Sequence, residues 1–194
     1  MNRPHFLAVC LVYTLLCPTG TAQTAKDIRT LVAELDRLNS TDRAAAQIAR
    51  LASRDSAARE YVIRRLPEMI DRQETNKVWM NSVVLAGQLK DEEAVSSLQH
   101  AMARGKFGTK PYTDFATQEH LDDDIVGRAL SEIGDPAIPA VRALLENGDY
   151  ETRVRAVLIL EKIGSPTARR MLQDWIPREP DPKLKDMIQY DLRS

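Results

Sequence analysis

The sequence predicts an all-α fold laid out as a solenoid of antiparallel helix pairs. Three observations point there. Aromatic residues make up 5% of the 194 residues and glycines number 8, while Ala, Leu, Arg and Glu are abundant, a composition that favours helix over sheet. Apolar residues recur at three- and four-residue spacing in segment after segment, the signature of helices with one buried face. The joint Ile133-Gly134-Asp135-Pro136 returns as Ile163-Gly164-Ser165-Pro166, thirty residues on.

The first stretch stands outside that pattern. Arg3 and His5 give a short positive start, Phe6 to Cys17 is a run of 12 almost wholly apolar residues, and Pro18-Thr19-Gly20-Thr21-Ala22 ends in small residues. That order is the pattern of a secretory signal peptide, and the run is too short to span a bilayer comfortably. The expected organisation is therefore a signal peptide over 1–22 and a helical repeat domain over 23–194, in an exported chain that is periplasmic or extracellular. Removal of residues 1–22 leaves 26 basic against 28 acidic residues, a net charge of −2. It also removes Cys10 and Cys17, so the mature chain would have no disulfide, thiol nucleophile or thiolate metal site. A lipoprotein reading needs a small residue just before the modified cysteine, whereas Val9 and Leu16 stand there.

The helices follow in order. Ile28, Leu31, Val32, Leu35 and Leu38 mark one apolar face; Ala45, Ile48, Ala49 and Ala52 mark the next, over 41–53. Tyr61, Val62, Leu66, Met69 and Ile70 predict a helix over 55–71, and Val78, Trp79, Leu85, Ala86 and Leu89 one over 74–90. Further helices are expected at 92–104, 117–134, 136–147, 149–164, 166–176 and 181–192. That makes five antiparallel pairs, at about 34 residues each, inside the range of helical solenoids. Each Ile-Gly joint reads as a glycine stop, an Asp or Ser N-cap and a proline in the first turn, and Asp181-Pro182 opens the last helix in the same way.

Residues 149–164 carry Asp149, Arg153, Leu160 and Ile163-Gly164, and residues 181–192 carry Asp181-Pro182-Lys183-Leu184-Lys185 and Leu192. These resemble the second helix of a HEAT repeat, which opens D-P-x-V-R and closes on an apolar residue and Ile-Gly. Over 119–134 the fit is looser, with Glu119 in the acidic slot and Asp123 in place of the arginine; over 75–90 Thr75 and Trp79 fill those slots. The resemblance implies a right-handed α–α superhelix of about five helix pairs. It also implies that Asp149, Arg153, Asp181 and Lys185 are structural repeat positions, forming a ladder between repeats or capping their own helices.

Signals for chemistry are sparse. The mature chain has His100 and His120, with no second histidine one turn away, so a histidine-based zinc site is not expected. Asp122-Asp123-Asp124 lacks the alternating ligands and final glutamate of a calcium loop, because Val126 and Ile133 fall at those positions. Acids at the start of a helix are favoured by its dipole in any case. Gly105-Lys106-Phe107-Gly108-Thr109-Lys110 fails the spacing of a phosphate loop, and no Gly-x-Ser-x-Gly elbow exists. No cofactor or catalytic residue is expected. Net negative charge argues against nucleic acid, whose phosphates demand a basic surface.

A binding scaffold is the function these observations favour, with a protein or peptide partner and no membrane span after signal cleavage. A solenoid leaves one face of its second helices open. Here that face is expected to carry Arg128, Glu132, Glu151, Arg155 and Lys162, of mixed sign. The 105–117 connection is the one long joint and sets Phe107, Tyr112 and Phe115 among Lys106 and Lys110, a composition that suits contact with a partner or packing onto the solenoid. The rival is an exported hydrolase or polysaccharide-acting protein, which would need two carboxylates facing across a cleft about 5–10 Å wide.

Overall fold

A computed structural model of the chain describes residues 19–35, 42–72, 77–104, 121 and 123–193. Every regular element among them is helical. The α-helices are α1 (Thr19–Leu35), α2 (Asp42–Ala52), α3 (Ser56–Ile63), α4 (Leu66–Asp71), α5 (Lys77–Gln88) and α6 (Val95–Ala103). The series continues with α7 (Ile125–Ile133), α8 (Ile138–Asn147), α9 (Tyr150–Ile163), α10 (Pro166–Trp175) and α11 (Pro182–Asp191). The point between residues 22 and 23 falls within α1, and Ile28, Val32 and Leu35 of that helix are buried.

The helices pack into two layers. In one, α5 lies against α7, α7 against α9 and α9 against α11; in the other, α4 lies against α6, α6 against α8 and α8 against α10. The contacts run between elements close in the chain and between successive elements of a layer, which is an all-α helical-repeat solenoid. The core is continuous from Ile28 to Ile188 and includes Trp79 and Trp175. α5 and α7 cross closely at Gly87. A Cβ added to Gly87 would lie 2.8 Å from the Cα of Ala129, so only a glycine allows the two helices to approach this far.

Short polar residues start five of the described helices. Asp55, Asp124, Asp149, Ser165 and Asp181 each accept a hydrogen bond from a backbone N–H of the first turn that would otherwise go unpaired. At the other end, α9 stops on Gly164 at φ 63°, a left-handed conformation that costs glycine nothing. Gly134, at φ 85° and ψ −141°, turns the chain out of α7 in a region where other residues are strained.

Four details differ from the sequence reading. The expected 55–71 helix is two, because Pro67 lacks an N–H and its ring crowds the carbonyl four residues back, at Ile63, where α3 ends. The expected 117–134 helix is interrupted at Asp124, which takes an extended conformation (φ −87°, ψ 97°) to cap α7 with its own carboxylate. Asp135 is not an N-cap: it opens a 3₁₀ turn, Asp135–Ala137, and α8 begins only at Ile138. Ile163 is half-buried rather than sealed between repeats, whereas Leu160 is fully buried as expected.

Candidate functional site

The polar positions of the layer formed by α5, α7 and α9 are organised by two arginines of α9. Asp124 accepts hydrogen bonds from Val126 N–H at 3.1 Å and Gly127 N–H at 3.0 Å, and its other carboxylate oxygen lies 3.6 Å from Nε of Arg155. Arg155 is 5% exposed and its Nη2 donates to Glu151 at 2.9 Å. The sequence reading of Arg155 as an open-face contact is corrected here: its guanidinium is drawn inward to neutralise the buried Asp124. Further along α7, spaced at four residues from Asp124, Arg128 and Glu132 form a partly exposed pair at 3.9 Å. Lys162 is exposed and lines a groove of about 310 Å³ with Glu161, Arg169 and Asp191. Of the five expected face positions in the helices, Arg128 and Glu132 stand together, Lys162 lines a separate groove, and Arg155 is internal with Glu151 paired to it.

Arg153, two residues before Arg155, faces the following repeat. Its Nε and Nη2 approach Glu179 at 3.1–3.2 Å. Glu179 also accepts from Nε1 of Trp175 at 2.7 Å and from the backbone N–H of Asp181 at 3.0 Å. Glu179 is 2% exposed, so the structure removes its charge from water and surrounds it with donors, the condition a buried carboxylate requires. Asp149 is a cap and not the partner of Arg153. Thr152, through its hydroxyl and its backbone N–H, holds the Asp149 carboxyl below the usual carboxylate range. Asp181 caps α11 through Lys183 N–H and Leu184 N–H, and Lys185 is half-buried on that helix. Sequence reasoning missed Asp124 and Glu179. The available signal for Glu179 was an acid held between Trp175 and two prolines in a joint with few other anchors.

A third buried carboxylate lies between α5 and α6. Lys90 turns left-handed at φ 50°, and Asp91 then caps the 3₁₀ turn Glu92–Ala94 by accepting from Glu93 N–H at 3.0 Å. Asp91 is 1% exposed and its Oδ2 has no hydrogen-bond partner. Burial pushes its carboxyl up to about 6, against the opposing pull of backbone N–H groups and the Arg59 guanidinium. The folded state therefore favours the protonated acid. The resulting stability is complete below the unfolded value near 3.8 and is lost as pH rises through about 6. We expect the stability of Asp91→Asn relative to the parent to shift by about 2–3 kcal/mol in its favour between pH 4 and pH 7. Urea melts at both pH values check this, and an unchanged difference would mean Asp91 is solvated.

Among the described residues no group of three or more His, Cys, Asp or Glu is placed to hold a metal ion. No helix among them is long and apolar enough to cross a membrane. Phe107, Lys110, Tyr112 and Phe115 lie outside the described residues, as do Glu119 and His120.

The family model described as HEAT repeats matches residues 124–193, from the Asp124 cap to the end of the last helix. Residues 124–193 are thus similar to HEAT repeats, and the preceding helices continue the same two-layer packing. No curated protein and no solved structure matches the chain.

Proposed function

We propose that this chain is an exported, non-catalytic scaffold that binds a protein partner through the exposed side of α7 and through the 105–117 segment. The observation that carries the reading is the HEAT-repeat architecture itself, a solenoid whose layered second helices leave a long surface for a partner. On that surface Arg128 and Glu132 offer opposite charges, which suits a protein surface of mixed charge better than a polyanion. The export signal supports a partner in the envelope or medium.

The test is co-purification of the cross-linked chain from its own envelope or medium, comparing the parent with two double variants. Arg128→Glu with Glu132→Arg, and Phe107→Ala with Tyr112→Ala, should each keep the helical spectrum and reduce the partner's yield. Aromatics at interfaces bury large area with few rotamers to freeze, so the second pair should matter most. Unchanged yield from both would remove this surface as the binding face. Intact mass of the exported chain should correspond to a start near Gln23; retention of residues 1–22 would overturn the cleaved-signal reading.

A further inference from the structure

We propose that the groove around Tyr61, at the N-terminal end of the solenoid, binds a carboxylate-rich segment of a partner protein. Here α1 packs beside α3, and a groove of about 480 Å³ between them is lined by Arg29, Arg54 and Tyr61. At Tyr61 it meets a second groove of about 520 Å³, lined by Arg65 and by the pair Glu60–Arg64. The Arg29 and Arg65 guanidinium carbons lie 5.8 Å and 4.6 Å from the centroid of the Tyr61 ring.

That arrangement does two things. The ring attracts and orders both cations, which lowers the rotamer freedom a ligand would have to freeze. A guanidinium over a ring can keep its N–H edges directed outward, the geometry that takes a carboxylate with two parallel hydrogen bonds.

The local carboxylates are committed elsewhere. Asp55 caps α3 by accepting from Ala58 N–H at 2.9 Å, Glu60 is paired with Arg64, and Glu68 accepts from Arg72 at 2.8 Å. Arg29, Arg54 and Arg65 are exposed and none has an ion pair with a carboxylate of the described residues. Between residues 50 and 65 stand five arginines and two acids, in a chain whose net charge is −1. The two groove linings together carry four arginines and three carboxylates, a small local excess of positive charge. Asp55, Glu60 and Glu68 border these grooves and would repel a continuous polyanion such as nucleic acid, whereas carboxylates spaced along a peptide can meet the arginines singly. The site lies on α1 and α3, away from Arg128 and Glu132 on α7, so its fate does not follow theirs.

The test is fluorescence anisotropy with the purified chain and a labelled decapeptide of alternating glutamate and glycine, at physiological salt. Its glutamine counterpart and a ten-nucleotide oligothymidylate serve as comparison probes. The glutamate peptide should bind, and the triple variant R29Q/R54Q/R65Q should weaken it by roughly tenfold or more, with an unchanged helical spectrum. The variant R169Q/R170Q/R193Q removes the same charge from exposed positions of the C-terminal helices and should leave binding within about twofold. Four outcomes would overturn the proposal: no binding of the glutamate peptide, equal binding of the glutamine peptide, equal loss in the two triple variants, or tighter binding of the oligothymidylate through the same arginines.

Discussion

Glu179→Ala should destabilise the chain by about 3–5 kcal/mol, because it leaves a mostly buried guanidinium and an indole N–H without their shared acceptor. The Arg153 side chain is 15% exposed and that of Glu179 is fully covered, so water cannot replace the lost carboxylate without opening the joint. Glu179→Gln should cost less, since an amide oxygen can still accept from Trp175 while the ion pair is lost. Urea melts of both variants give the values. A double-mutant cycle with Arg153→Ala separates the pair from the rest, and coupling below about 0.5 kcal/mol would show that the two residues act independently. The joint would then be held by Trp175 and the prolines alone.

Leu160→Ala should cost about 2–5 kcal/mol, as expected of a core truncation that leaves a cavity among packed neighbours. Leu160 is 0% exposed in the middle of the α7–α9–α11 layer, while Lys162, two residues on, is exposed. Lys162→Ala should therefore stay within about 0.5 kcal/mol. The contrast between the two is the measurement. Similar small losses in denaturant melts would mean that α9 is rotated from the phase described above.

The fold was largely legible because its local signals agree. Gly164, Ser165 and Pro166 stop one helix and start the next, and the apolar spacing of 149–163 places Leu160 inward without further information. The break at Pro67 was overlooked because the apolar spacing runs unbroken from Tyr61 to Ile70 across it, so the stronger periodic signal masked the proline. The Asp122-Asp123-Asp124 run offered three equivalent acids, and only tertiary packing against Arg155 selects the last as the cap. Arg155 was misread for a related reason. Residues 153 and 155 differ by about 200° around a helix, so they serve opposite neighbours, but nothing in the spacing says which neighbour holds the acid. The candidate site was less legible than the fold. An exposed charge and a long side chain folded inward onto a buried acid look identical in sequence, and Arg155 is the second kind.

The opposed arginines of α9 also set how the C-terminal end can come apart. Linear arrays usually fray from their ends, one unit at a time, with little resistance until a strong interface is reached. Here α11 can peel back to its cap at Asp181 while the Glu179 cluster stays whole, because Arg153, Trp175 and Glu179 all precede it. Beyond that point piecemeal opening ends. Freeing Glu179 strips Arg153, and disturbing α9 strips Arg155 from Asp124 at the head of α7. The two buried acids stand as clasps at either side of one helix, and we expect the array from Asp124 to Glu179 to open as a single piece.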